Sequence, residues 1–272
     1  MDTALKTIGN ITFSSYCTEN RSGEQFIADH LVGYLLSGSI TIIDGDQTMV
    51  YRDGDVVLFR RNHLGKFIKR PPEGGGDLLV ISFLLDQALL QGLAKGRPPY
   101  LPGRLPPGAA LQIHPDELLQ NCLDGLTAYT TEDISPELAA HKVQEFAMLL
   151  LRAQPELQRI LFDFGSPGKI DLEAFMYRNF RYNVPMEKLA FLTGRSLATF
   201  KRDFEKIFHS PPGQWLLEQR LKEAHYLIRE KSARPSSVYL DVGFESLSHF
   251  SHAFKRSYGI PPSRLTAINS SL

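Results

Sequence analysis

Ser196 and Ser246 each head a run in which phenylalanines recur four apart and polar residues fill the gaps: SLATFKRDFEKIFHSPP and SLSHFSHAFKRSYGIPP. In a helix that spacing turns Phe200 and Phe204, or Phe250 and Phe254, toward one side, and the serine caps the N-terminus. The side left free carries Ala198, Thr199, Lys201 and Arg202 in the first run and Ser248, His249, Ser251 and His252 in the second. Lys206, Lys255 and Arg256 follow toward the helix ends. These are groups that donate and accept hydrogen bonds and carry positive charge. Their chemistry is recognition, with no covalent step implied.

Other residue groups offer chemistry and lack the pattern for it. The two serines stand in a capping context, and neither sits in a Gly-x-Ser-x-Gly turn that would expose a nucleophile. Asp53 and Asp55 flank Gly54, where acidic residues favour chain reversal over acid–base work. His30, His63, His114 and His141 are scattered without the histidine pair and glutamate of a barrel metal site, so no metal and no cofactor is expected. Cys17 and Cys122 have no metal-ligand spacing, a reducing compartment disfavours a bridge between them, and both read as buried thiols. The chain reads as a non-enzyme.

The two serine-headed runs match at an offset of 50 residues. Leu197 answers Leu247, Phe200 answers Phe250, Phe204 answers Phe254, and Pro211-Pro212 answers Pro261-Pro262. Ahead of each lies a short amphipathic stretch and a glycine turn, MEKLAFLTG and SSVYLDVG. Helix, glycine turn and capped helix is the order by which helix-turn-helix units set a recognition helix into the major groove of DNA. Between the copies, GQWLLEQRLKEAHYLIREK reads as one long helix with Trp215, Leu216, Leu221, Ala224 and Leu227 toward the core. A rigid strut of that kind fixes the distance between two readers, and one helical repeat of roughly 34 Å would place them in successive grooves.

The elements that must position these faces come in two kinds. From Ile11 to about Leu85 short apolar or alternating runs (ITFSSYC, HLVGYLLSG, SITIIDGDQ, TMVYRDGD, VVLFRR, KFIKR and DLLVISFLL) are broken by Asp44-Gly45-Asp46, Asp53-Gly54-Asp55 and Gly74-Gly75-Gly76. Seven or so short strands with close turns predict a barrel or a two-sheet sandwich. A proline-rich connector, Arg97 to Pro107, separates them from two predicted helices, 115–129 and 136–152. Their apolar stripes are Leu118, Leu119, Cys122 and Leu126, then Val143, Phe146, Ala147 and Leu150, which pack on the barrel or on a second subunit. The fold class is α+β, with domains at 1–165 and 166–272 divided at Phe164-Gly165-Ser166-Pro167-Gly168. The zero net charge of the 272 residues hides that division. Residues 1–165 hold 14 Lys and Arg against 20 Asp and Glu, a net −6, and residues 166–272 hold 16 against 10, a net +6. The basic part is where a polyanion would bind. Arg60, Arg61, Lys66, Lys69 and Arg70 make the one basic cluster of the acidic part, a charged strand edge or a site for an anionic effector. No apolar run nears the roughly 20 residues of a membrane span, and no secretory leader is legible at the start, so a cytoplasmic protein is expected.

The stretch from about Asp171 to Leu265, with Gly243-Phe244 and the series Phe250-x-x-x-Phe254-Lys255-x-x-x-Gly259-x-x-Pro262, resembles the DNA-binding domain of the AraC family of bacterial regulators. The strand-rich part is similar to that family's cupin-like N-terminal domains, and YLLSGSITI, GDVVLFRR and LLVISFLLDQALLQGL are most similar to activators of type III secretion genes. The resemblance implies a transcription activator controlled through its N-terminal domain by a small molecule or a protein partner. Its other partners would be promoter DNA, RNA polymerase and a second copy through helices 115–129 and 136–152. It implies base or phosphate contacts from Ala198, Thr199, Lys201 and Arg202 and from Ser248, His249, Ser251 and His252. Arg202 would dominate base discrimination because its planar fork pairs bidentately with guanine, while Lys206, Lys255 and Arg256 would hold phosphates. Two positions depart from the family: Tyr239 replaces a small residue, and His209 replaces a glycine after the first reader helix, which asks for an unusual backbone angle there. Rival readings are a cupin-type small-molecule-binding enzyme with an accessory helical domain, and a module whose repeated helices bind a partner protein.

Overall fold

In the computed structural model, which describes residues 3–21, 25–45, 47–97 and 108–269, the chain forms two compact units that divide between Gly165 and Ser166. Among the described residues the first holds eleven strands: β1 Thr3–Ile8, β2 Ile11–Tyr16, β3 Phe26–Ile27, β4 His30–Ser37, β5 Ser39–Asp44, β6 Gln47–Arg52, β7 Val56–Phe59, β8 His63–Leu64, β9 Lys66–Arg70, β10 Leu78–Leu85 and β11 Ala110–Ile113. All pairings are antiparallel. A six-stranded sheet runs β1-β2-β10-β4-β7-β11, beside a three-stranded sheet β6-β5-β9 and the pair β3-β8. The predicted runs are β2, β4, β5, β6, β7, β9 and β10. Four more strands went unread because each is an edge or only two to four residues long. The turns at Gly54 (φ +86°) and Gly75 (φ +91°) take the left-handed backbone that glycine allows. Asp46 and residues 98–107 of the proline-rich connector lie outside the described residues.

The large sheet is apolar on both faces. One face joins Tyr16, Leu35, Val57, Phe59, Leu78 and Val80 with Ile40, Ile42 and Tyr51 of the smaller sheet. The other carries Phe13, Val32, Tyr34, Leu58, Ile81 and Phe83. Against it pack α2 (Glu117–Thr127) and α3 (Pro136–Ala153), which follow the short α1 (Gln87–Ala94). Phe83 stacks on Phe146 at 4.2 Å. The helix pair thus seats on its own sheet through Leu119, Cys122, Leu123, Leu126, Val143, Phe146, Ala147 and Leu150. Leu118 is a correction to the predicted stripe: it is 53% exposed, and Leu123 takes its place in the core. Outward faces retain Leu138 and Met148 as well. Of the two cysteines expected to be buried, Cys122 is, and Cys17, just past the end of β2, is exposed.

The basic cluster of this unit is spent on internal partners. Arg60 is buried and donates to the Gly108 carbonyl at 3.0 Å, and Arg61 donates to the Gly165 carbonyl at 2.7 Å. Lys69 donates to the Tyr16 hydroxyl at 2.6 Å, and Arg70 donates to Glu19 and to Thr41. Burial, aided by the neighbouring Arg61 and Arg60, holds the His30 imidazole down to about 4. His30 is therefore neutral at physiological pH.

The second unit is helical. After α4 (Gln158–Leu161) of the first unit come α5 Leu172–Asn179, α6 Met186–Leu192, α7 Leu197–Phe208, α8 Pro212–Glu230, α9 Pro235–Asp241, α10 Leu247–Tyr258 and α11 Pro262–Asn269. No helix among the described residues is long and apolar enough to cross a membrane.

Candidate nucleic-acid interface

Two turns of like construction carry the repeat. In α6–turn–α7 the chain reverses at Gly194 (φ +65°), where a Cβ would collide with the backbone of Gly168 and Lys169. In α9–turn–α10 it reverses at Gly243 (φ +96°), where a Cβ would lie 2.6 Å from the Arg181 carbonyl oxygen. Only glycine fits either position. The second helix of each pair then starts on a capping serine. Ser196 Oγ accepts the Thr199 N–H at 3.3 Å, and Ser246 Oγ accepts the His249 N–H at 3.1 Å. Both helices close in the left-handed region, α10 on Gly259 (φ 76°) and α7 on His209 (φ 52°). A side chain in that conformation costs about 1–2 kcal/mol, which Gly259 avoids and His209 bears.

The inner faces match as the repeat requires. Phe200, Phe204, Phe250 and Phe254 are all fully buried. Under α7, Trp215 lies 5.6 Å from Phe204 and 4.6 Å from Phe208, with Tyr177 completing the cluster. Under α10, His225 takes the corresponding place, stacked on Phe254 and 4.6 Å from Tyr258. Tyr239 is half-buried against this second core. Of the core residues expected on α8, Leu227 is only partly buried, and Ile228 is the fully buried neighbour.

The outer faces are open. Ala198, Lys201, Arg202 and Lys206 on α7 are exposed, as are Ser248, His249, His252, Lys255 and Arg256 on α10, while Thr199 and Ser251 are half-buried. Thr199 Oγ1 sits 3.0 Å from Ser196 Oγ, and the His249 ring stands edge-on to Phe244 at 5.5 Å. The two faces differ in charge. Glu205 is exposed on α7 where α10 carries Lys255 at the equivalent position, so the second face is the more basic.

One group was not read from the sequence. Arg195, whose side chain is only 7% exposed, donates to Asp203 at 3.2 Å and to the carbonyls of Ile170 and Thr193 at 3.0 and 2.7 Å. The Arg195 hydrogen bond, with Lys169 and Arg202 nearby, holds the Asp203 carboxyl below the usual carboxylate range. Arg202 Nε is 3.7 Å from the other Asp203 oxygen with its side chain 66% exposed. Asp203 is thus pinned by the turn and offers Arg202 a loose tether at the surface. The signal was local: an arginine directly after the turn glycine and an aspartate two turns along the helix, on the same side. Among the described residues no three His, Cys, Asp or Glu side chains gather as metal ligands.

A family profile described as a helix-turn-helix domain matches residues 189–267, and one described as the ExsA N-terminal regulatory domain matches residues 30–160. The HTH-type transcriptional regulator ExsA of Pseudomonas aeruginosa is 25% identical over 236 residues, covering 85% of this chain and 83% of that one. The virulence regulon transcriptional activator VirF of Yersinia enterocolitica is 29% identical over 140 residues, 46% of this chain and 52% of its own. Among solved structures, apo ToxT from Vibrio cholerae aligns over 94% of this chain and 97% of that one, at 14% identity and a TM-score of 0.41.

Proposed function

The chain belongs to the AraC family of transcription regulators, in the subgroup of ExsA and VirF, and from that premise we propose that α7 and α10 read two adjacent segments of one promoter duplex. The observation that carries the reading is the pair of equivalent capped helices, each with its phenylalanine pair fully buried and its polar, basic face open. Arg202 pairs with a guanine edge, the remaining side chains of the two faces make further base or phosphate contacts, and Lys206, Lys255 and Arg256 hold phosphates. The protein acts as an activator in the bacterial cytoplasm, engaging RNA polymerase, and no catalysis belongs to this reading.

Residues 1–165 serve as the regulatory domain, answering to a small molecule or a protein partner. A cavity of about 340 Å³ in the strand-rich unit, lined by Tyr16, Leu31, Ile40, Phe59, Phe67 and Lys69 among others, supports a small apolar effector. The outward apolar residues Leu118, Leu138 and Met148 on α2 and α3 support pairing of two copies through those helices.

Incubating the purified chain with sheared bacterial genomic DNA and sequencing what is retained tests the reading. A bipartite sequence should be enriched. Its affinity should fall with salt at a slope near −3 to −5 on logarithmic axes, about 0.9 for each phosphate held by the three to five cations of the two faces. Retention without sequence preference, or affinity indifferent to salt, would remove the reading.

A further inference from the structure

Arg220 lies midway along α8, on the stripe Leu216, Arg220, Ala224 and Ile228 whose other three members are buried. Its guanidinium has three carbonyl partners. Nε donates to Phe180 at 2.8 Å, Nη2 to Tyr182 at 2.8 Å and Nη1 to Gly243 at 3.0 Å. Phe180 and Tyr182 belong to the connection between α5 and α6, at the entry to the first helix-turn-helix unit. Gly243 is the turn of the second.

The junction is tight at Gly243. The Gly243 backbone presses on the Arg181 carbonyl so closely that a Cβ would stand 2.6 Å from its oxygen and 3.0 Å from Arg220 Nε. Asn183 Nδ2 donates to Glu245 across the same seam at 2.6 Å, and Arg181 pairs with Glu223 of α8 at 2.7 Å. Burial pulls the Arg220 guanidinium down to about 10, opposed by Glu245, so the group stays charged at neutral pH. The side chain is half-buried, and among the described residues its hydrogen-bond acceptors are these three neutral carbonyls. The strut between the readers is therefore not the sole link. The entry of one unit and the turn of the other share a guanidinium.

We propose that Arg220 is the positioning residue that fixes the separation and angle of α7 and α10, and so sets the spacing of the two DNA segments that the chain accepts. The proposal rests on the DNA-reading role argued above and goes beyond it. A shift of one base pair moves a groove site by about 3.4 Å and turns it by about 34°. A junction held by three hydrogen bonds from one planar fork resists such a change, and a lysine ammonium cannot reproduce the fork.

The test selects bound duplexes from a random-sequence library with the full-length wild-type chain and with Arg220→Lys, then compares affinities on paired and single segments. Wild type should recover two segments at one spacing and reject a one-base-pair insertion by about tenfold or more, a typical loss of one good base contact. Arg220→Lys should recover the same two segments at several spacings, with that discrimination below about threefold and single-segment affinity nearly unchanged. A single sharp spacing in the variant overturns the proposal, and so does equal weakening on single and paired segments. Should Arg220→Lys recover no DNA, the double variant Asn183→Ala, Glu245→Ala loosens the same seam from its exposed side, and an unaltered spacing there counts against the proposal. If wild type itself recovers no paired segments, the two-reader reading fails first.

Discussion

Replacing Phe254 by alanine should lower the stability of the C-terminal unit by about 3–5 kcal/mol, since a fully buried ring is lost and its neighbours cannot close the space. Phe254 stands between Phe250 at 5.6 Å, Tyr258 at 4.7 Å and the stacked His225. A domain of this size is stable by only about 5–15 kcal/mol, so the change removes much of the margin. The unfolding midpoint of that unit should fall on the order of 15–25 °C, read by calorimetry on the full chain. Phe204→Ala should act alike through Trp215 and Phe208. Leu247→Ala, at a residue 41% exposed on the same helix, should change stability by less than about 0.5 kcal/mol. An unchanged melt for Phe254→Ala with lost DNA binding would mean that the ring stacks on bases and that the inner and outer faces have been exchanged.

Arg202→Ala should weaken binding to the enriched sequence by about 1–3 kcal/mol, roughly 5- to 150-fold, and binding to random duplex much less. The difference follows from the role: a fork on a guanine edge discriminates, whereas a charge near phosphate does not. Arg202 is exposed and only loosely tied to Asp203, whose carboxylate is already held by Arg195. The fork can therefore leave the protein surface without stranding a buried charge. Lys206→Ala gives the contrast, weakening all sequences alike and reducing the salt slope by about 1. Equal loss on random and selected DNA for Arg202→Ala would move Arg202 into the phosphate-holding group.

The reader helices were legible because their determinants are local. Serine caps, turn glycines and the four-residue aromatic period act within one turn of the chain, and repetition at 50 residues made each copy a check on the other. The backbone angle at His209 was legible for the same reason, since a residue standing in for a C-terminal glycine must adopt that glycine's conformation. Leu118 was misassigned because a stripe of leucines at 118, 119, 123 and 126 fits two helix orientations, and the sheet beneath decides between them. Strands such as Ala110–Ile113 are too short to declare themselves and exist by pairing with Val56–Phe59. The cavity draws its lining from strands far apart in the chain, which no single window contains. Arg220 is a different case: a charge at the second of four positions spaced four apart, the other three apolar, was visible in the text of α8. Its partners were not, because carbonyls carry no residue type.

As proposed, α7 and α10 enter successive major grooves on one face of a single duplex. Guanine-N7 methylation interference on a fragment retained by the chain tests it most directly, because that atom lies in the major groove. Two clusters of interfering guanines about one helical turn apart, roughly 10–10.5 base pairs, are the expected result. One cluster alone, or two on opposite faces of the duplex, would contradict it.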